Sequence, residues 1–216
     1  RLELGIRIGE DAGEVTGMYG MVNQAILEYF HEEHGAEILD AVRARAGFEG
    51  TEFARMTQYP DEVSVQLIVA AAEILEQPAE ALLEQVGEYW VEFALRSDYG
   101  ELLRLAGSTL PEIVQNLNQL HTRVGQAFAD LKPPSFWSDE VTERSLVLHY
   151  ASDREGLEPM VVGIVRGLGR MLDVETKVEL IATEPAAPSR FLVQFAATSM
   201  AETAPQPASN ERSGAA

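Results

Sequence analysis

The sequence contains no cysteine and few basic residues. Without cysteine the chain can form no disulfide, no thiolate metal site and no cysteine nucleophile. Its 16 Lys and Arg are outnumbered by 35 Asp and Glu, for a formal net charge of −19, whereas nucleic acid and anionic membrane surfaces attract basic proteins. Nucleic acid and membranes are therefore not expected partners, and any metal must be held by His, by carboxylates or by a cofactor.

Long apolar runs are also missing. No stretch approaches the roughly 18 apolar residues of a membrane-spanning helix, and the opening RLELGIRIGEDAGEVTG mixes acids with apolar residues, unlike a signal peptide. These features predict a cytoplasmic protein. The 216 residues are 46% hydrophobic and 24% charged, which favours one globular domain with loose ends.

The two ends differ from the middle of the chain in composition. Residues 1–17 hold four Gly and no usable period, which predicts a flexible N-terminal extension before Met18. Residues 198–216 are small, polar and dotted with Pro, which predicts a disordered tail. The expected folded unit is 18–197.

The hydrophobic pattern predicts an α+β fold. Up to about residue 128 the period is helical, whereas after the Lys132-Pro133-Pro134 break β-rich runs occur at 145–150, 177–183 and 190–195, with a helix at 157–172 between the first two. The last two strands flank the hairpin-like turn EPAAPS. We therefore expect a helical N-terminal lobe followed by a C-terminal lobe with a small antiparallel sheet and packed helices.

Three of the four histidines give weak signals for chemistry. His31 and His34 have a spacing that can share a metal, but their neighbours Glu32 and Glu33 are typical of a solvated helix end. His149 is out of phase with the apolar residues of its strand, so we expect it on the other face of the sheet.

His121 differs because it lies on an apolar stripe. Counting from Leu110, residues Val114, Leu117, His121, Val124 and Phe128 follow at steps of four or three, which is one face of a helix. The imidazole therefore points toward the core. Such a histidine is either a core residue held by a backbone carbonyl or a ligand.

A second candidate cluster follows 29 positions later. Tyr150, Ser152 and Arg154 alternate along the chain, so a strand continued through them would place all three on one face. A guanidinium flanked by hydroxyls suits a pair of carboxylates, such as the two propionates of haem. The ordinary alternative is a strand end whose Arg forms a surface salt bridge.

Several segments together resemble the haem nitric oxide/oxygen binding (H-NOX) family, which includes bacterial gas sensors and the haem domain of soluble guanylate cyclase. The resemblance covers roughly 18–197. It rests on MYGMVNQAI (18–26), VGEYWVEF (86–93), LPEIVQNLNQLHTRVG (110–125), PPSF (133–136) and LHYASDREGLEPMVVGIVRGLG (148–169).

The resemblance implies haem b between the two lobes. By it, His121 is the proximal iron ligand, Tyr150, Ser152 and Arg154 clamp the propionates, and Pro134 presses on the haem plane. Met21, Trp90 and Met160 are assigned by the same likeness to the haem pocket, the last two on its distal side.

One departure bears on ligand choice. Family members that hold oxygen carry a Tyr where this sequence, aligned on Gly163, has Met160, which cannot donate a hydrogen bond. Bound oxygen needs a donor, whereas NO and CO need little, so the resemblance implies a sensor of NO that also binds CO and excludes oxygen. It further implies release of His121 on NO binding, and a separate partner such as a histidine kinase or a cyclic-nucleotide enzyme. No catalytic constellation is apparent, so we do not expect an enzyme.

Three alternatives remain open at this stage. Trp90 carries an indole N–H and could serve as the distal donor of an oxygen sensor. Met160 could be the second axial ligand of a haem redox protein or haem enzyme. A cofactor-free interaction module with an apolar cleft is the third.

Overall fold

The computed structural model describes residues 17–126, 132–182 and 187–196. Within these ranges the elements run, in chain order, as strand β1 (Gly17–Tyr19), helix α1 (Gly20–Arg45), strand β2 (Gln58–Pro60), helices α2 (Asp61–Leu75), α3 (Ala79–Arg96), α4 (Gly100–Arg104) and α5 (Leu110–Gly125), strands β3 (Ser135–Asp139) and β4 (Ser145–Ala151), helix α6 (Glu158–Met171), and strands β5 (Thr176–Ala182) and β6 (Ser189–Phe195). No helix in the described ranges is long and apolar enough to cross a membrane.

The α+β architecture is confirmed. Helices dominate the first half, and the second half contains a four-stranded sheet of order β3-β4-β6-β5 in which all neighbours are antiparallel. Strands β5 and β6 pair directly, as the predicted hairpin requires. Residues 183–186 of the connecting turn lie outside the described residues.

Helix α1 is interrupted at Gly35. His31 and His34 lie in the last turn of its first segment, as the sequence pattern predicted, and a second segment continues to Arg45. Gly35 has φ 83° and ψ 171°, a non-helical conformation that glycine adopts without steric cost because it lacks a Cβ atom.

A short two-stranded sheet was not predicted. Strands β1 and β2 have three residues each, too few to show a period, and they pair antiparallel with Gly17 opposite Pro60 and Tyr19 opposite Gln58. Gly17, which the sequence pattern placed in the N-terminal extension, thus belongs to a strand. The rest of the predicted extension, 1–16, and the predicted tail, 198–216, lie outside the described residues.

Two hydrophobic cores define the lobes. One is formed by α1, α2 and α3 around residues such as Phe30, Leu67 and Leu82, and the other by α5, α6 and the sheet around Ile113 and Phe191.

Helices α3 and α6 join the lobes through backbone contact at glycines. A Cβ atom at Gly87 would collide with the carbonyl of Met160, and one at Gly163 would collide with the carbonyl of Glu84. Arg166 also binds Glu84 across this seam, at 2.6 Å. The cleft beside the seam contains the candidate site.

Candidate functional site

An apolar cleft lies between the lobes. Its space is about 490 Å³ when the open, solvent-filled mouth is included. Most of its lining is apolar and comes from α1, α2, α3 and the chain around the start of α6: Met18, Val22, Ile26, Val65, Ile68, Leu83, Val86, Leu157 and Met160. The polar lining residues are Asp61, Ser64 and Arg154.

The polar side chains of the cleft are occupied. The Ser64 hydroxyl donates to Oδ1 of Asn23 at 2.5 Å, and the Arg154 Nε donates to Oδ2 of Asp61 at 2.8 Å. Met160 adds an apolar side chain. The two polar donors of the described lining, the Ser64 hydroxyl and the Arg154 guanidinium, are therefore already engaged.

His121 lies on helix α5, whose N-terminus is capped by side chains. Thr109 accepts from the Glu112 backbone N–H while the Glu112 carboxylate accepts from that of Thr109, a capping box that fixes the start of α5, and Pro111 follows inside the first turn. Leu110, Val114 and Leu117 are buried as the stripe predicts, and His121 is half-buried at its end; Phe128 lies outside the described residues.

The imidazole of His121 is suited to a metal. Burial lowers the pKa of His121, and the backbone carbonyl of Pro134 opposes that shift less strongly. A lowered pKa keeps the imidazole neutral, the form that binds iron. Its Nδ1 is buried and makes no hydrogen bond within the described residues. Pro134 itself is half-buried beside this ring.

An aromatic ring links His121 to the predicted clamp. Phe136 lies with its ring centroid 5.9 Å from that of His121 and 5.4 Å from that of Tyr150. Phe136 and Tyr150 also face each other in the register of β3 and β4. The rings of the proximal-ligand candidate and of the first clamp residue thus both lie against that of Phe136.

The strand does not continue through the clamp as expected. β4 ends at Ala151, and the Arg154 backbone N–H donates to the Ser152 hydroxyl at 3.1 Å. This local side-chain bond competes with the strand ladder and turns the chain. Tyr150 is buried, and its pKa is raised chiefly by burial, with a hydrogen bond to Ser152 and the nearby Arg154 acting in the opposite direction.

Arg154 holds a carboxylate already. Its ion-pair partner Asp61, the first residue of α2, has a side chain only 5% exposed, and that of Arg154 is 15% exposed. The other guanidinium nitrogens donate to the carbonyls of Lys132 at 3.4 Å and Gly17 at 3.3 Å. The second oxygen of Asp61 is buried and has no hydrogen-bond partner within the described residues.

Asp61 was missed by sequence reasoning. An acid after Pro60 at the start of a helix is typical of favourable placement near the helix dipole, and that interpretation needs no partner. Its contact with Arg154 spans 93 positions, and no local pattern reports such a pairing.

Trp90 and Met21 are not among the residues that line the cleft, and neither are His121, Tyr150, Ser152 and Pro134. Trp90 and Met21 both pack against the N-terminal core, and Trp90 stacks on Phe93 with ring centroids 5.7 Å apart. Of the three residues assigned to the pocket by resemblance, Met160 alone lines this cleft. The apolar lining from α1 comes instead from Met18, Val22 and Ile26.

His31, His34 and His149 lie outside this site. Within the described ranges no three His, Asp or Glu side chains gather as a metal site. The ring of His149 stacks on Trp137 with centroids 5.0 Å apart, and its Nε2 lies 3.0 Å from Asp139 Oδ2. His149 thus lies on the sheet face opposite Tyr150, as its phase predicts.

These residues fit haem. The largely buried Arg154 binds a carboxylate, burial lowers the pKa of His121, and the cleft between the lobes is mostly apolar. The contact with Asp61 shows that this guanidinium can donate to a carboxylate, the group that a haem propionate carries.

Comparison with known proteins decides the family. A model of the Haem-NO-binding family matches residues 19–180. The chain belongs to this Haem-NO-binding, or H-NOX, family. Domains of the family bind haem iron and sense gases. The α+β architecture, the cleft and the chemistry of His121 agree with that membership.

Relatives include cyclases that are much longer than this H-NOX chain. Soluble guanylate cyclase gcy-31 of Caenorhabditis elegans is 29% identical over 168 residues, which are 77% of this chain and 24% of the cyclase. The beta-2 subunit of guanylate cyclase from Rattus norvegicus is 36% identical over 91 residues, 42% of this chain and 13% of the subunit. The chain thus spans less than a third of either protein.

Solved H-NOX structures share the fold. An unliganded Fe(II) H-NOX protein from K. algicida has a TM-score of 0.70 at 18% identity, covering 83% of this chain and 97% of that one. An H-NOX protein from S. oneidensis in the Fe(II)NO state has a TM-score of 0.73 at 10% identity, covering 83% and 99%. At these identities the likeness concerns the fold.

Proposed function

We propose that this H-NOX chain is a nitric oxide sensor that also binds CO, excludes oxygen and signals to a separate protein through release of His121. The unit assigned to this function is 18–197. The partner class we propose is a histidine kinase or a cyclic-nucleotide enzyme, and we assign no catalytic step to the chain itself.

The proposed preference for NO and CO over oxygen rests on one observation, which is that the hydrogen-bond donors described in the cleft are already bound to other protein groups. Ser64 is bound to Asn23, Arg154 is bound to Asp61, and Met160 cannot donate. Oxygen is held at ferrous iron with the help of a donor, whereas NO and CO need none. Because the described part of the lining has no donor left unbound, it favours NO and CO.

The chain's own residues have separate roles in this proposal. Haem, when bound, supplies a ferrous iron with one open coordination position. His121 would hold the iron, because burial keeps its imidazole neutral. Tyr150, Ser152 and Arg154 would hold the propionates, with Pro134 beside the imidazole, and Met160 would limit the polarity of the opposite side.

Trp90 is the rival donor. It stacks on Phe93 and packs against the N-terminal core. An oxygen sensor built on Trp90 would need this ring to leave its stack.

Absorption spectra of the reduced protein test the proposal. We expect haem in the purified protein, spectral shifts with NO and with CO, and no stable shift in air. A stable shift in air that disappears in Trp90→Phe would replace this proposal with an oxygen sensor. Purified protein that takes up no haem would contradict both.

A further inference from the structure

The side-chain amide of Asn118 forms two hydrogen bonds with the backbone of Phe136 on β3. We call this pair of bonds the clasp. Its Nδ2 donates to the carbonyl of Phe136 at 2.6 Å, and its Oδ1 accepts from the backbone N–H of Phe136 at 2.9 Å. β3 is an edge strand of its sheet, so the backbone groups of Phe136 that turn away from β4 need another partner. Asn118 provides both bonds.

This clasp lies between the two halves of the proposed haem site. Asn118 precedes His121 by three positions on α5, less than one helical turn. Phe136, whose backbone it holds, has its ring next to those of His121 and Tyr150. A movement of α5 relative to the sheet must therefore stretch or break the clasp.

An amide side chain carries both the donor and the acceptor that these two bonds need. A carboxylate could accept from the Phe136 N–H but could not donate to the carbonyl, and an alanine could do neither. A second asparagine on the same helix makes one bond elsewhere: Asn116 donates to the carbonyl of Ala106 at 2.7 Å. Asn116 therefore offers a matched control on α5 whose hydrogen bond goes to Ala106 and not to Phe136.

We propose that Asn118 is a positioning residue that ties α5 to β3 and so sets how readily His121 moves away from the iron. The inference rests on the proposed function, because it takes His121 as the iron ligand. The clasp holds His121 in place relative to Tyr150, and its loss favours the released position of the helix.

The first arm of the test uses haem-free protein. Hydrogen exchange of the Phe136 amide is compared in the wild type, N118A, N118D and N116A. The loss of one net hydrogen bond corresponds to about fivefold in an equilibrium constant, so we expect exchange about fivefold faster in N118A. N118D retains the acceptor and should stay near the wild type, as should N116A.

The second arm uses the NO complex of the haem-loaded protein. The fraction with five-coordinate haem, read by absorption and electron paramagnetic resonance, should rise in N118A, rise less in N118D and be unchanged in N116A. N118D also serves if N118A fails to fold. An equal change in N116A would indicate general loosening of α5 and would overturn the proposal.

The two arms separate this inference from the function on which it rests. Protein without haem would end the sensor proposal, while exchange at Phe136 would still report on the clasp. A haem-loaded protein whose coordination is the same in wild type, N118A and N118D would keep the sensor and overturn the role of Asn118.

Discussion

Arg154 and Asp61 lie 93 positions apart in the chain, yet Nε of one is 2.8 Å from Oδ2 of the other. Both side chains are largely buried. Breaking a buried pair of a guanidinium and a carboxylate is strongly destabilising, because removal of one partner leaves the other charge desolvated and unpaired. The pair marks the point where the N-terminal helices meet the predicted propionate clamp.

Replacing Asp61 by Asn should destabilise the haem-free protein. The substitution leaves the Arg154 charge without its ionic partner, and breaking a buried pair in this way costs about 3 kcal/mol or more. Denaturant unfolding of the haem-free wild type and variant measures the difference. Glu73→Gln removes the exposed partner of Arg45 and serves as a control expected to change stability by less than about 1 kcal/mol. If the two substitutions lower the unfolding free energy equally, the buried pair contributes no more to stability than the exposed one.

Arg154→Ala should speed haem loss. Charge-assisted hydrogen bonds contribute about 1.5–3 kcal/mol each, so transfer of haem to an acceptor protein should accelerate at least about tenfold. Arg190→Ala, on an exposed pair with Glu140 at 3.9 Å, is the matched control and should transfer haem at the wild-type rate. An unchanged rate in Arg154→Ala would mean that Arg154 only supports the fold.

His121→Gly should purify without haem, or hold it only when imidazole is added. Removing the side chain opens a space for free imidazole and eliminates the proposed axial bond. His149→Gly is the control, because His149 stacks on Trp137 on the other face of the sheet. Haem content and the absorption spectrum measure the outcome. A His121→Gly protein with wild-type haem and no added imidazole would refute the ligand assignment.

The unfolding free energy of the haem-free protein should depend on pH through the hydroxyl of Tyr150. Burial raises the pKa of Tyr150 above its usual value of 10.0. As pH rises past 10, the unfolded chain therefore loses this proton before the folded chain does, and stability falls until the folded pKa is passed. The unfolding free energy of Tyr150→Phe should decline less steeply across that range. Identical slopes for both proteins would indicate that the hydroxyl titrates alike in the folded and unfolded chains.

Local patterns predicted the order of helices and strands and the inward position of His121, because both depend on short-range periods of 3.6 and 2. Local patterns did not predict the features that depend on contacts between distant residues or on very short segments. The clamp was expected along one strand, but the Ser152 hydroxyl ends β4 through its bond to Arg154. Asp61 was missed because its partner lies far along the chain. β1 and β2 were missed because three residues show no period.

Met160→Tyr should shift the protein toward oxygen. A phenol in the cleft adds a donor, and one net hydrogen bond of about 1 kcal/mol strengthens binding about fivefold. Met160→Phe has a similar ring without the hydroxyl and is the control. Oxygen titration of both reduced variants gives the comparison. If both variants respond to oxygen alike, the effect comes from the ring and not from hydrogen bonding.

The most direct test of the account is the absorption spectrum of the reduced wild-type protein under argon, NO, CO and air. Since the cleft residues that the structure describes leave no donor unbound, we expect five-coordinate ferrous haem under argon, new stable spectra with NO and with CO, and no stable oxygen spectrum in air. A stable oxygen spectrum in air would contradict the account, and its loss in Trp90→Phe would identify the indole as the missing donor.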